Sequence, residues 1–213
     1  MANLRFIALS SGFLASLAVA GNPPIAENLF PTTVGSTWEI RGSATGLAEP
    51  IDMRISVVKW NPANHQVVLR YTQGAREVQQ ETYSVTSKEV SRMRSGPGGK
   101  GILTPPMPVI KYPFALGKSW KWAGTITQSG GASKQAIHSV ATAKYAAIEN
   151  ISTGVGSIKA YRVDLNLTMT SGGQSASIVN SYWFAPKIGL IKQSAEFGNG
   201  NKIEGTVTSY RIN

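Results

Sequence analysis

Any reaction centre in this chain has to be built from two histidines, eleven carboxylates and a glycine-rich run, because its 213 residues include no cysteine. That absence removes thiol nucleophiles, thiolate metal sites and redox pairs. His65 sits in the turn-like stretch NPANHQ and His138 among small residues. Neither has a further ligand at metal spacing, so no zinc site is expected. Serines are plentiful, but no G-x-S-x-G elbow presents one as a nucleophile. Gly96-Pro97-Gly98-Gly99-Lys100-Gly101 matches G-x-G-x-x-G letter for letter. A dinucleotide site needs a helix to open right after that run, with its N-terminus on a phosphate. Ile102-Leu103-Thr104-Pro105-Pro106 follows instead, so a loop is expected. The carboxylates are Glu27, Glu39, Glu49, Asp52, Glu77, Glu81, Glu89, Glu149, Asp164, Glu196 and Glu204. A glycosidase needs two of them across a cleft. Most fall on the polar positions of alternating segments or in loops, where solvation is the default. The residues therefore predict no catalytic group, no metal and no cofactor.

The elements around these residues read as strands. Met53, Ile55 and Val57 alternate with Asp52, Arg54 and Ser56; Val67, Leu69 and Tyr71 alternate with Gln66, Val68 and Arg70. Val163, Leu165, Leu167 and Met169 alternate with Arg162, Asp164, Asn166 and Thr168. A period of two buries one set against a core and leaves the other to solvent. Further strands are expected over 81–86, 88–94, 120–128, 176–184, 189–197 and 203–212. Turn residues separate them at Asn61-Pro62, Gly130-Gly131, Gly172-Gly173 and Gly198–Asn201, the spacing of an antiparallel meander. Residues 132–149 are Ala-rich, and propensity alone leaves them open between helix and strand. Residues 95–113 hold four glycines and five prolines, so a linker or long loop is expected there.

One pattern occurs twice. Residues 30–38 read FPTTVGSTW and residues 112–120 read YPFALGKSW, with Pro, Gly and Trp identical. The repeat predicts two related halves, each entered by the same turn: Phe30, Pro31, Gly35 and Trp38 in the first, Tyr112, Pro113, Gly117 and Trp120 in the second. Proline fixes φ and halts the preceding segment. Glycine supplies a φ that a Cβ resists. The chain then delivers Trp38 or Trp120 early in a strand, as a core pin rather than a ligand platform.

The first twenty residues stand apart as a signal peptide. Arg5 precedes the mostly apolar run Phe6 to Val19, and Ala18-Val19-Ala20 offers an A-x-A cleavage site before Gly21. An uncleaved anchor is the competing reading, but the run is short for a span of about 20 residues. Without a lipobox cysteine, the cleaved product is expected to be soluble, in the periplasm or secreted. Residues 21–104 and 105–213 would be the two β halves, sharing one core because each alone is small.

The chain's net charge is +10, and it is uneven. Residues 21–104 carry nine basic and seven acidic groups; residues 105–213 carry eleven and four. Such a surface suits anionic envelope polymers, lipid headgroups or acidic proteins. Nucleic acid is not expected, because the basic residues are scattered singly with no aromatic ladder between them.

Residues 182–192 read YWFAPKIGLIK. With FPTTVGSTW and the segment Gly156–Val163, they resemble a widespread group of exported bacterial β-proteins of unknown function. That group pairs an F-P-L-x-x-G-x-x-W opening with a late Y-W-[FY]-A-P-G-[VI]-G-[LM]-[VI]-K hairpin. The resemblance maps Tyr182, Trp183, Pro186 and Gly189 onto the hairpin, with Lys187 where the group commonly has Gly. It implies an all-β antiparallel sheet, strongly curved or a half-barrel, loosely like the half-barrels that carry lipid or lipoprotein. It tips residues 132–149 toward strand and supplies no catalytic residue. The functional expectation is a non-catalytic exported protein binding an anionic or amphiphilic envelope component. An interaction module for an envelope protein and an envelope-polymer hydrolase are the alternatives.

Overall fold

The structure, a computed structural model, describes residues 29–128 and 135–213. The signal-peptide segment, Gly21, Glu27 and the Gly130-Gly131 turn lie outside the described residues. Twelve strands form among the described residues: β1 (Thr37–Ala44), β2 (Ile51–Asn61), β3 (Gln66–Gln73), β4 (Arg76–Val85), β5 (Glu89–Ser95) and β6 (Gly101–Lys111), then β7 (Ser119–Gln128), β8 (Gln135–Thr153), β9 (Gly156–Ser171), β10 (Gln174–Ala185), β11 (Gly189–Phe197) and β12 (Lys202–Arg211). Each pairs antiparallel with its sequence neighbour, and β1 pairs with β12, so the sheet is closed. The expected half-barrel is corrected to a full barrel. Closure runs from Thr37 opposite Arg211 to Ala44 opposite Ile203, across a bulge at Glu39/Ile40.

A closed sheet of this size encloses more space than aliphatic side chains fill. Eight strands leave an interior just filled, and sixteen leave a channel. Here aromatic rings take up much of the difference. Phe30, from the segment before β1, lies 4.7 Å from Tyr83 and 6.5 Å from Phe184 between ring centroids. Tyr145 is packed between Phe114 at 4.4 Å and Trp120 at 5.1 Å.

The Ala-rich segment belongs to β8, and its register shows why alanine is tolerated in this strand. Ala143 lies opposite Trp120 and Ala141 opposite Trp122. All four are buried. Small residues face the indoles, where a β-branched pair would overfill the layer.

The segment 95–113, expected to be one loop, is a strand over Gly101–Lys111, so the 104/105 division falls inside β6. Only Gly101–Thr104 pair with β7, and the two strands part where Pro105, Pro106 and Pro108 begin. Proline has no N–H to lose on an unpaired side. Across the parted seam the indole N–H of Trp122 donates to Pro105 O at 3.0 Å and that of Trp120 to Pro108 O at 2.9 Å.

The two repeated motifs fold alike. Gly35 (φ 89°) donates to Val57 O and Gly117 (φ 81°) to Tyr145 O, each at 2.9 Å. In return Val57 N donates to Ser36 O and Tyr145 N to Lys118 O. Each motif also docks on a hairpin of the other strand set. Tyr112 N donates to Lys88 O at 2.7 Å in the β4–β5 turn. A Cβ on Gly189, after the β10–β11 turn, would stand 2.7 Å from Pro31 Cδ, so only glycine lets Pro31 pack there.

That β10–β11 turn explains a departure noted above. Ile188 N donates to Ala185 O, Pro186 precedes Lys187, and Lys187 has φ 65°. This is the pattern of a type II turn, whose third position favours glycine. Left-handed backbone costs a side-chain-bearing residue about 1–2 kcal/mol. Lys187 is exposed and makes no ion pair among the described residues. Lys187→Gly is therefore expected to stabilise the barrel by about 1 kcal/mol, a Tm rise of about 2–4 °C by calorimetry. An unchanged or lower Tm would remove this account of the turn.

Candidate functional site: a cavity in the barrel lumen

The lumen is not completely filled. A cavity of about 330 Å³ remains between strands β1–β6 and β10–β12. That lies at the small end of ligand sites, which run from about 300 to 1,000 Å³. Its floor is formed by Phe30, Pro31, Trp38, Phe184 and Gly189. Its walls include Ile55, Leu69 and Val109. Met53 and Val78 are half-buried and Ile203 is 43% exposed, which places the opening at the Ala44/Ile203 end of the β1–β12 ladder.

One side of this apolar chamber is polar. Alternation along β4 turns Gln79, Glu81 and Tyr83 inward, and the neighbouring strands add Tyr71 (β3) and Arg92 (β5). Tyr182 completes the group from β10. The Glu81 carboxylate is the hub of the group. Its Oε2 accepts from Tyr71 OH at 2.6 Å and Tyr83 OH at 2.5 Å. Its Oε1 accepts from Gln79 Nε2 at 2.8 Å and faces Arg92 Nε at 3.4 Å. A carboxylate has about four acceptor positions. Three of them accept hydrogen bonds and the fourth side faces the Arg92 cation, whose Nε–H is donated to Tyr83 OH at 3.2 Å, so the carboxylate is committed to this cluster. Arg92 instead spreads over the ring edges: Nη2 donates to Tyr83 OH at 3.0 Å and to Tyr182 OH at 3.3 Å. Its guanidinium also lies 5.5 Å from the Tyr83 ring centroid and 5.9 Å from that of Tyr182.

Ionisation follows from this packing. Burial opposes the charge on Arg92, but Glu81, then Tyr83 and Tyr182, outweigh burial and hold the guanidinium well above its usual value. Burial, reinforced by the Glu81 charge, raises the Tyr71 phenol well above its usual value. Burial likewise raises Tyr83, with Arg92 pulling the other way, and burial raises Tyr145. Unfolded tyrosine titrates near pH ~10. The native state therefore keeps protons that the unfolded chain releases above that pH. Stability from these groups is whole below about pH 10 and is lost as pH rises toward their folded values. Urea midpoints are expected to fall steeply above about pH 10, and less steeply in Tyr71→Phe. Equal slopes in the two proteins would contradict this.

The residues singled out from sequence are structural parts of the chamber or its supports. Phe30, Pro31, Trp38, Tyr182 and Gly189 line it. Trp120 bridges the β6–β7 seam, Tyr112 docks on the β4–β5 turn and Gly117 on Tyr145 of β8, with Pro113 in the connection between β6 and β7. Trp183 points outward yet is 8% exposed. Its Nε1 donates to Glu149 Oε1 at 2.7 Å, and Lys192 Nζ lies 5.0 Å from its ring centroid.

Glu81 is the correction among the carboxylates. Solvation, the default for most of them, does not hold for Glu81, which is 3% exposed. The alternation that buries Tyr83 and Val85 buries Glu81 as well, so the signal was present. Glu39, Asp52 and Glu77 do lie on the outer face, paired with Arg54, Arg41 and Arg70. Glu149 and Asp164 meet at Arg162, away from the cavity lining. His65 stands in the β2–β3 turn and His138 on the exposed face of β8. After the glycine run comes strand β6, with no helix N-terminus to hold a phosphate.

No family model and no curated protein matches the chain. Solved structures do. A protein of Parabacteroides distasonis, described provisionally as a lipoprotein, is similar over 90% of this chain and 100% of its own, with 13% identity and a TM-score of 0.60. A protein of Bacteroides fragilis, described provisionally as exported and as having a YmcC-like fold, is similar over 89% and 99%, with 13% identity and a TM-score of 0.58. The Escherichia coli protein YmcC, described as a hypothetical lipoprotein, is similar over 87% and 89%, with 11% identity and a TM-score of 0.41. Likeness at this identity speaks for the fold alone. The chain thus has the YmcC-like fold, drawn here as a closed barrel of antiparallel strands around one apolar chamber.

Proposed function

We propose that this barrel is an exported, non-catalytic binding protein whose lumen takes up a small amphiphilic component of the cell envelope. The observation that carries the reading is the chamber: apolar floor and walls, one polar side and an opening at one end. An apolar cavity of this size binds molecules that water solvates poorly. The leader-like first twenty residues and the exported relatives in fold support an envelope location. The net positive charge supports an anionic surrounding.

The test uses a neutral probe, N-phenyl-1-naphthylamine, whose fluorescence rises in apolar surroundings. Saturable binding is expected. Ala195→Trp, which places a ring in the chamber from β11, is expected to abolish it without lowering the Tm. Absence of saturable binding by the native protein, of this probe and of a ten-carbon carboxylate alike, would overturn the reading. The interaction-module alternative is less favoured because barrel closure leaves no whole strand free to pair with a partner strand, and the one parted seam, between β6 and β7, is crossed by the Trp120 and Trp122 indoles and lined by prolines. The two matching turns, each opening a set of six strands, support descent of the barrel from two related halves.

A further inference from the structure

The hydrogen-bond inventory of the polar side says what kind of head group the chamber accepts. Glu81 accepts three hydrogen bonds and faces Arg92. Tyr71 and Tyr83 both spend their protons on it. Tyr182 OH accepts from Arg92, and its own proton has no acceptor among the described residues. Arg92 Nη1 likewise faces no acceptor among them. Both residues line the cavity. The unspent capacity is thus mainly donor capacity: one phenol O–H and the two N–H of a permanently charged guanidinium. Gln79 Oε1 is the acceptor left over in this group, and Asn180, Gln193 and Ser194, which line the cavity from β10 and β11, are uncharged and offer donors and acceptors alike. Arg92 also meets Glu81 only at 3.4 Å, through a carboxylate already held by three neutral donors. The Glu81 contact is on the Nε side, which leaves the Nη1 N–H groups open to a further acceptor.

We infer that the chamber binds a single-chain amphiphile head first, with an acidic, planar head group such as a carboxylate on Arg92 and Tyr182 and its chain directed toward Met53, Val78 and Ile203. This rests on the proposed binding function and adds the ligand's charge and orientation. A guanidinium fork matches two carboxylate oxygens in one plane, and charge-assisted hydrogen bonds are the strong ones. An ammonium head would face the guanidinium as a like charge. An alcohol would use the donors without the charge.

Three ten-carbon probes separate these cases: decanoate, decanol and decyltrimethylammonium. Each is titrated against the native protein preloaded with N-phenyl-1-naphthylamine, and decanoate is also titrated alone by calorimetry. Decanoate is expected to displace the neutral probe at a concentration at least about tenfold lower than decanol, with the cation weakest. Tyr182→Phe is expected to narrow the advantage of decanoate over decanol several-fold. The charge-neutral pair Glu81→Leu with Arg92→Met is expected to abolish that advantage. Equal potency of decanoate and decanol on the native protein overturns the head-group assignment and leaves the chamber standing. Failure of both the neutral probe and decanoate to bind overturns the binding function with it. The native comparison decides even if the double variant does not fold.

Discussion

Glu81→Ala is expected to remove about 3–5 kcal/mol of stability, which is the usual cost of deleting one partner of a buried ion pair. The side chains of Glu81 and Arg92 are 4% and 15% exposed, so water replaces little of what is lost. The deletion leaves Arg92 charged in the lumen and strips Tyr71 and Tyr83 of their acceptor. Arg92 cannot escape by losing its proton, because a guanidinium stays charged at any ordinary pH. Glu81→Gln keeps an acceptor oxygen and the shape, so a smaller loss is expected. The informative comparison is a cycle with Glu81→Leu and Arg92→Met. Removing both charges is expected to recover much of the single-variant loss, since hydrophobic replacements of buried pairs are often neutral. Urea melts at neutral pH read all of these. A Glu81→Ala cost under about 1 kcal/mol would mean that the cluster is solvated and that the polar side of the chamber is misread.

Strand positions were legible in the sequence because a period of two is a local property. Alternation over Val67–Tyr71 and Val163–Met169 needs no knowledge of partners, and β3 and β9 fall there. Closure was not legible. Whether β1 meets β12 depends on residues some 160 positions apart, and no local pattern distinguishes an edge strand from a paired one. Proline misled over Gly101–Lys111. Three prolines argue against a central strand, yet β6 is paired on one side only past Thr104, and that side keeps its ladder with β5 through bulges.

The candidate site was half visible. Glu81 shares a strand face with Tyr83 and Val85, so alternation alone would have placed a carboxylate in the core. Its partners Arg92 and Tyr182 could not be assigned, because they come from β5 and β10 and meet it only through the curvature of the barrel. The chamber itself is a property of volume. It depends on how twelve strands close and how many rings fill them, which no window of sequence records.

Trp38→Ala and Trp120→Ala are each expected to cost about 3–5 kcal/mol, the range for deleting a buried large aromatic ring. The two indoles hold different parts of the barrel. Trp38, 4% exposed, sits on the chamber floor and donates Nε1–H to Ile188 O at 2.7 Å, tying β1 to the β10–β11 turn. Trp120, 8% exposed, crosses the seam where β6 and β7 have parted and stands over Ala143. Phenylalanine at either position separates packing from hydrogen bonding. It keeps most of the ring burial but leaves a carbonyl unanswered, a loss of about 1–3 kcal/mol. Carbonyl accessibility should distinguish the two sites. The Ile188 carbonyl belongs to a turn that solvent can reach, whereas Pro108 O lies in a buried seam, so Trp120→Phe is expected to lose more than Trp38→Phe. Trp38→Ala should also deepen the chamber. In whatever fraction remains folded, it is expected to bind probes longer than the native protein accepts. Urea melts of the four variants test the first claim, and probe-length series the second. Melts unchanged within error would show that neither indole holds the barrel together.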